Sequence, residues 1–239
     1  MPTPDPQAAA ASTDATRPPA DLPVVLGAEI DEPYLTRALT HRSYAYEHGG
    51  IPTNERLEFL GDSVLGYIVS DMLVHRFPEI DEGELSRRRA ALVSTHALAR
   101  IAESRDLGGW LRLGRGEQSS GGQHKASLLA DMMESLIAAN YLSRGIDATR
   151  DLVLRLVEPL VPEVAVLAAE MDPKTTLLEL AASRGYSEPA YQVEAAGPDH
   201  RRVYRATVAC GPARGIGTGP SKKQAEMSAA MQAWHALRA

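Results

Sequence analysis

Cysteine occurs once in the 239 residues, at Cys210. A single thiol excludes an intrachain disulfide and any zinc site built from cysteines, and it suits a reducing, cytoplasmic setting. No apolar run reaches the roughly 18 residues that a membrane helix needs, so no membrane partner is expected. The N-terminus lacks the basic start and apolar core of a secretory signal. Large apolar residues are almost missing from the first 20 positions, which are mostly Ala, Pro, Thr and Asp. Residues 1–22 are therefore expected to form a disordered tail. No Ser/His/Asp or Cys/His constellation stands out, which argues against covalent nucleophilic catalysis.

What is present is a chain that can bury a core, with 44% hydrophobic residues, and one whose charge is unevenly spread. The net charge is −6. Residues 172–239 hold nine basic and six acidic residues, a balance of +3; the rest holds 16 basic and 25 acidic residues, a balance of −9. An acidic body with a basic C-terminal piece fits metal chemistry in one part and a polyanionic partner for the other.

The central stretch is Asn54-Glu55-Arg56-Leu57-Glu58-Phe59-Leu60-Gly61-Asp62-Ser63. From Leu57 to Val74 the only charges are Glu58, Asp62 and Asp71, and apolar residues recur on nearly every face. This predicts a buried helix. Glu58 and Asp62 are spaced i, i+4 and share a side with Glu55. A second apolar helix, Ser127 to Leu142, carries only Asp131 and Glu134, spaced i, i+3. Two acids on one helix face are ordinarily solvated. Within apolar helices they need a cation, either arginines such as Arg87, Arg88 and Arg89 or a metal ion. Oxygen-only ligands favour Mg²⁺, Mn²⁺ or Ca²⁺ over zinc.

Around these helices the chain reads as follows. Residues 33–47 have helical spacing, and His41 at a helix end reads more readily as a cap than as a catalyst. Residues 49–54 are a loop, and 113–126 a flexible loop. Helix continues through 145–171. Thr175 to Ala182 is helical, 191–194 and 202–208 alternate like strands, and 215–219 is a short third strand. Ser221 is the N-cap of a last helix whose first residues, Lys222 and Lys223, stand where the helix dipole attracts phosphate. The fold class is mainly α, with an all-helical N-terminal domain and a small α-β-β-β-α domain after it.

With those residues in view, the sequence resembles bacterial ribonuclease III. Asn-Glu-Arg-Leu-Glu-Phe-Leu-Gly-Asp-Ser at 54–63 matches that family's signature. So do Ala-Leu-Thr-His-Arg-Ser at 38–43, Asp-Glu-Gly-Glu-Leu-Ser at 81–86, and Leu-Ala-Asp with a Glu three residues on at 129–134. The C-terminal part is similar to a double-stranded-RNA-binding domain through Gly-Pro-Asp-His at 197–200 and Ser-Lys-Lys-Gln-Ala-Glu at 221–226. The resemblance implies an endonuclease domain over 23–168 and an RNA-binding domain over 172–239. It implies that Glu58, Asp62, Asp131 and Glu134 hold Mg²⁺, for which Mn²⁺ substitutes, with Asp62 and Glu134 most directly catalytic. It places Glu55 and Glu82 near the substrate path and Phe59 at the interface of a homodimer. Thr175, Glu179, His200, Lys222 and Lys223 match RNA-contacting positions. The implied activity is metal-dependent hydrolysis of double-stranded RNA to 5′-phosphate and 3′-hydroxyl ends, processing rRNA precursors and structured mRNAs in the cytoplasm, with no small-molecule organic cofactor.

Three positions depart from the family pattern: Leu178 where a glutamine is common, Tyr204 where phenylalanine is usual, and Ala138 where glycine is common. Two other readings stand beside this one. A module that holds duplex RNA without cutting it would not need all four acids. A carboxylate-bridged metal hydrolase or oxidase of a small molecule would normally add Glu-x-x-His motifs, which these helices lack, and would leave the basic domain without a role.

Overall fold

Helices and one small sheet make up the described residues, 17–198 and 201–238, of the computed structural model. Two compact units emerge: the residues up to Met72 with Val93–Glu158, and Leu73–Leu92 with the residues from Pro159 onward.

In the first unit the helices α1 (Leu22–Leu26), α2 (Glu32–Ala38) and α3 (Arg42–Glu47) precede the long α4 (Glu55–Arg76). The helical spacing expected over 33–47 is interrupted at Leu39–His41, where Thr40 bridges Arg112. His41 caps α3, accepting from the Ser43 amide at Nδ1 (3.2 Å), in keeping with its expected role as a cap. After α5 (Glu82–Leu92), which belongs to the second unit, come α6 (Thr95–Ser104), α7 (Arg115–Ser119) and α8 (Ala126–Val157). The segment expected as a flexible loop over 113–126 therefore contains a helix and a 3-10 turn. It is tied to α3 by the Gly114 amide donating to Ser43 Oγ and the Arg115 amide donating to Glu47 Oε1, both at 2.9 Å. Of the segment expected as a tail, the part from Arg17 is described: Pro19–Asp21 is a 3-10 turn, Leu22 is fully buried, and Trp110 Nε1 donates to the Pro18 carbonyl.

Spacing explains both central helices. On α8, Leu129, Met132, Met133, Leu136 and Ile137 fall on one buried stripe, against which α2 and α6 pack. Past that stripe the helix kinks at Gly145, whose φ of 80° suits glycine. On α4, Leu57, Leu65, Ile68 and Val69 are buried, but the helix is not buried all round as its composition suggested. Phe59 is 79% and Tyr67 54% exposed.

The second unit holds α5, α9 (Val164–Met171), α10 (Pro173–Ser183), the strands β1 (Ala190–Ala196), β2 (Val203–Cys210) and β3 (Ala213–Gly219), and α11 (Lys222–Arg238). The sheet is antiparallel in the order β1-β2-β3, with Gln192 opposite Thr207 and Thr207 opposite Ile216. Alternate residues Ala206, Val208 and Cys210 face a core closed by Leu177, Ala181 and Trp234. The sheet face and α11 meet almost backbone to backbone. A Cβ at Gly217 would lie 2.4 Å from the Ala225 carbonyl oxygen, and one at Gly215 2.0 Å from that of Ala229. Ser221 caps α11 as expected, accepting from the Gln224 amide at 3.2 Å.

One contact fixes the spacing of the two acid-bearing helices. A Cβ added at Gly61 on α4 would stand 1.8 Å from the carbonyl oxygen of Glu134 on α8. Gly61→Ala is expected to lower stability by about 1–3 kcal/mol, because backbone rather than a mobile side chain must yield. The urea midpoint of the variant measures it.

Candidate active site

Asp62 follows Gly61 directly, so the close helix contact brings it beside Glu134. The four expected acids feel one another. Burial first, then the charges of Asp62, Glu58 and Asp131, push the Glu134 carboxyl up to about 7. Glu58 is raised by burial, then by Asp131 and Glu55, with Asp62 adding and Arg42 opposing. Asp131 is raised by burial, against His41 and Arg42. As placed, these carboxylates repel rather than chelate: among the described residues, no three His, Cys, Asp or Glu side chains converge closely enough to hold a metal ion.

The start of α4 is locked to its surroundings. The Asn54 amide donates to the Thr40 carbonyl (2.9 Å), and its own carbonyl receives the Glu58 amide (3.0 Å) and the Ser135 hydroxyl of α8 (3.3 Å). Glu55 accepts from Thr53 Oγ1 at 2.9 Å. Two of the three arginines weighed as partners for the acids are engaged elsewhere, within the second unit. Arg87 pairs with Glu84 and Glu179 (3.0 Å each), and Arg88 with Glu84 (2.8 Å) while stacking on Phe77. The cations that do reach the acids are Arg42 and His41, which the sequence reading treated as part of a matching motif and as a cap. Their position at the N-terminal end of α3 was the available signal. His41 is held below its usual value, chiefly by burial.

The remaining expected residues lie in other places. Phe59 stands exposed on α4 in the first unit. Glu82 opens α5 in the second unit and accepts from the Ser86 hydroxyl at 2.7 Å. On α10, Thr175 is exposed and Leu178 is 42% exposed, while Leu177 and Ala181 turn into the core. Glu179 shares that outer surface but is bound to Arg87. Lys222 and Lys223 are exposed at the first turn of α11, Lys222 lying 3.9 Å from Glu226. His200 lies outside the described residues. Tyr204 is half-buried against the sheet core and Ala138 is fully buried in α8.

This arrangement has counterparts among known proteins. A Ribonuclease-III-like family model matches residues 31–160, and a double-stranded RNA binding motif matches residues 173–237. The chain is 53% identical over 215 residues to Ribonuclease 3 of Thermobifida fusca, covering 90% of each protein. It is 55% identical over 213 residues to Ribonuclease 3 of Leifsonia xyli, covering 89% of this chain and 90% of that one. Among solved structures, the nuclease domain of ribonuclease III from Campylobacter jejuni superposes with a TM-score of 0.56 at 40% identity. It covers 59% of this chain and 97% of that domain, and is described in terms of flexibility in its region of dimer formation. No described helix is long and apolar enough to cross a membrane. The chain belongs to the ribonuclease III family, the endoribonucleases that cleave double-stranded RNA.

Proposed function

We propose that Glu58, Asp62, Asp131 and Glu134 form the catalytic centre of this endoribonuclease and hold Mg²⁺, or Mn²⁺ in its place. The observation that carries this reading is the close approach of α4 and α8 at Gly61 and Glu134, which gathers the carboxylates so that burial and three neighbouring acids push Glu134 up to about 7. Four oxygen donors in mutual repulsion, opposed only by Arg42 and His41 among the causes of their shifts, suit a hard divalent cation, which would draw them closer together than they stand here. When bound, such an ion activates a water for attack on the phosphodiester and stabilises charge developing on the phosphate.

The protein's own residues do the rest. At neutral pH Glu134 retains a proton for part of the time, and loading the site would release it. Asp62 and Glu134 sit on backbones in direct contact, which holds the reacting end of the site rigid. Arg42 supplies positive charge beside Glu58 and Asp131. Hydrolysis would leave 5′-phosphate and 3′-hydroxyl ends, with precursors of rRNA and structured mRNAs in the cytoplasm as the physiological substrates.

Duplex RNA is gripped by shape, through its 2′-hydroxyls and phosphates. Thr175 and Glu179 on α10, His200, and Lys222 and Lys223 at the N-terminus of α11 are the proposed contacts, with Glu55 and Glu82 along the substrate path. Glu179 would exchange Arg87 for RNA at little cost, since an exposed ion pair contributes about 0–1 kcal/mol. Functionally, the endonuclease domain spans 23–168 and the RNA-binding domain 172–239. Phe59, 79% exposed on α4, supports a homodimer formed through that helix.

Three outcomes follow. Glu134→Gln should lower cleavage of labelled duplex RNA by about 10²–10³-fold or more while gel-shift affinity stays within twofold. Full cleavage in Mg²⁺ would remove Glu134 from the centre. Lys222→Ala combined with Lys223→Ala should weaken duplex binding and flatten the slope of log affinity against log salt by about 1 per lysine. An unchanged slope would place the phosphate contacts elsewhere.

The third concerns pH. The folded protein holds the Glu134 proton more tightly than the unfolded chain, its carboxyl standing at about 7 against an ordinary 4.5. That contribution to stability is complete below pH 4.5 and is lost as pH rises through 7. In EDTA, Glu134→Gln should therefore match the wild type near pH 4.5 and exceed it by about 1–2 kcal/mol at pH 8. Mg²⁺ should raise the wild-type urea midpoint at pH 8 and move the variant less.

A further inference from the structure

A cavity of about 360 Å³ in the first unit lies apart from the four acids and is used by nothing described so far. Its lining includes Pro33, Tyr34, Ile51 and Pro52 together with two arginines, Arg37 and Arg112. Both arginines are half-buried. Arg37 Nε donates to the Thr53 carbonyl at 2.9 Å. Arg112 donates to Thr40 Oγ1 (3.3 Å) and to the Tyr44 hydroxyl (3.0 Å), and its guanidinium lies 4.4 Å from the centre of the Tyr44 ring. Among the described residues these partners are all neutral. In this sequence the remainder outside 172–239 carries nine more acids than bases, yet two half-buried cations share a pocket in which no carboxylate of the described residues answers them.

Sheltered positive charge needs an anion, and a guanidinium meets phosphate in a two-pronged geometry that ammonium cannot offer. Arginine carries five N–H donors; Arg37 commits one to protein oxygen and Arg112 two. The donors that remain point to more than one oxygen on the ligand. The size and the apolar walls argue against a bare ion: the cavity falls within the range of small-molecule sites, and the prolines, Ile51 and Tyr34 offer flat surfaces to a ring. We infer that this pocket binds a nucleoside monophosphate, its phosphate between Arg37 and Arg112 and its base against Tyr34, Ile51 and the two prolines.

The pocket is wired to the start of α4. Arg37 holds the Thr53 carbonyl, and the Thr53 hydroxyl holds Glu55. Binding would therefore be felt at the first turn of the acid-bearing helix without the ligand touching the acids.

Isothermal titration calorimetry of the full chain in EDTA tests the assignment, with AMP, adenosine and inorganic phosphate as probes. AMP should bind saturably, and adenosine and phosphate each at least tenfold more weakly. Arg37→Ala should weaken AMP at least tenfold while the ligand-free Tm stays within 2 °C. Glu134→Gln, and Lys222→Ala with Lys223→Ala, should leave AMP affinity unchanged. Should Arg37→Ala not fold, Ile51→Glu carries the same test from the apolar wall. No saturable AMP binding, equal affinity in the pocket variants, or loss of binding in the double lysine variant would each overturn the inference. So would phosphate binding as tightly as AMP. A short 5′-phosphorylated RNA that displaces AMP at tenfold lower concentration would assign the pocket to RNA ends instead.

Discussion

Repulsion among carboxylates is the constraint to which the first unit is built. Glu58 and Asp62 on α4 and Asp131 and Glu134 on α8 occupy stretches, Leu57 to Val74 and Ser127 to Leu142, in which Asp71 is the one other charge. Left to themselves such groups would separate or draw in water. Separation is prevented by a contact without side chains: Gly61 lets the backbone of α4 press against the Glu134 carbonyl of α8. The stripes of Leu57, Leu65, Ile68, Leu129, Met133 and Leu136 supply the burial that keeps the helices in place. The displaced Glu134 carboxyl is the consequence.

Much of this could be read from the chain. Periodicity and the lone charges on two apolar stretches located both helices and all four acids, because i, i+3 and i, i+4 spacing dictates which side chains share a face. Ser221 as a cap and the order helix, three strands, helix followed from local rules of the same kind. What local rules could not supply was the partner of each face. The exposed side of α4 carries Phe59, Tyr67 and Val74 among its polar residues, so composition alone made the helix look enclosed. Residues 113–126 read as a flexible loop because their glycines and serines carry no period, yet hydrogen bonds to Ser43 and Glu47 order them. The role of Arg42 was hidden for the same reason: its electrostatic reach to Glu58 and Asp131 depends on where α3 meets the site.

The second unit solves a different problem with the same device. Its sheet has only three strands, and a small sheet needs a close cover to exclude water. Gly215 and Gly217 on β3 face Ala225, Ala229 and Ala233 on α11, and the absence of side chains on one partner and their smallness on the other bring the two layers nearly into backbone contact. Trp234 then fills the end of that seam. The outer surfaces are left free for charge. Lys222 and Lys223 at the head of α11 and Thr175 on α10 are exposed, and their neighbours Ala225 and Leu177 are buried.

Positive charge is placed with equal economy in the first unit. Arg144 is matched by Glu29 and Asp31, and Arg150 by Asp71. Arg42 is the exception at the carboxylate site, where its charge offsets repulsion that no ion pair fully relieves. Arg37 and Arg112 lie on the other side of the Thr53–Glu55 step, where the described oxygens that receive them are neutral. An unmatched anion cluster and an unmatched cation pair thus sit at two ends of one short hydrogen-bonded segment. Neither set can relax onto the other, because Arg37 is bound to the backbone of Thr53 while Glu55 is bound to its hydroxyl. On the two readings proposed above, a cation answers one set and a phosphate the other.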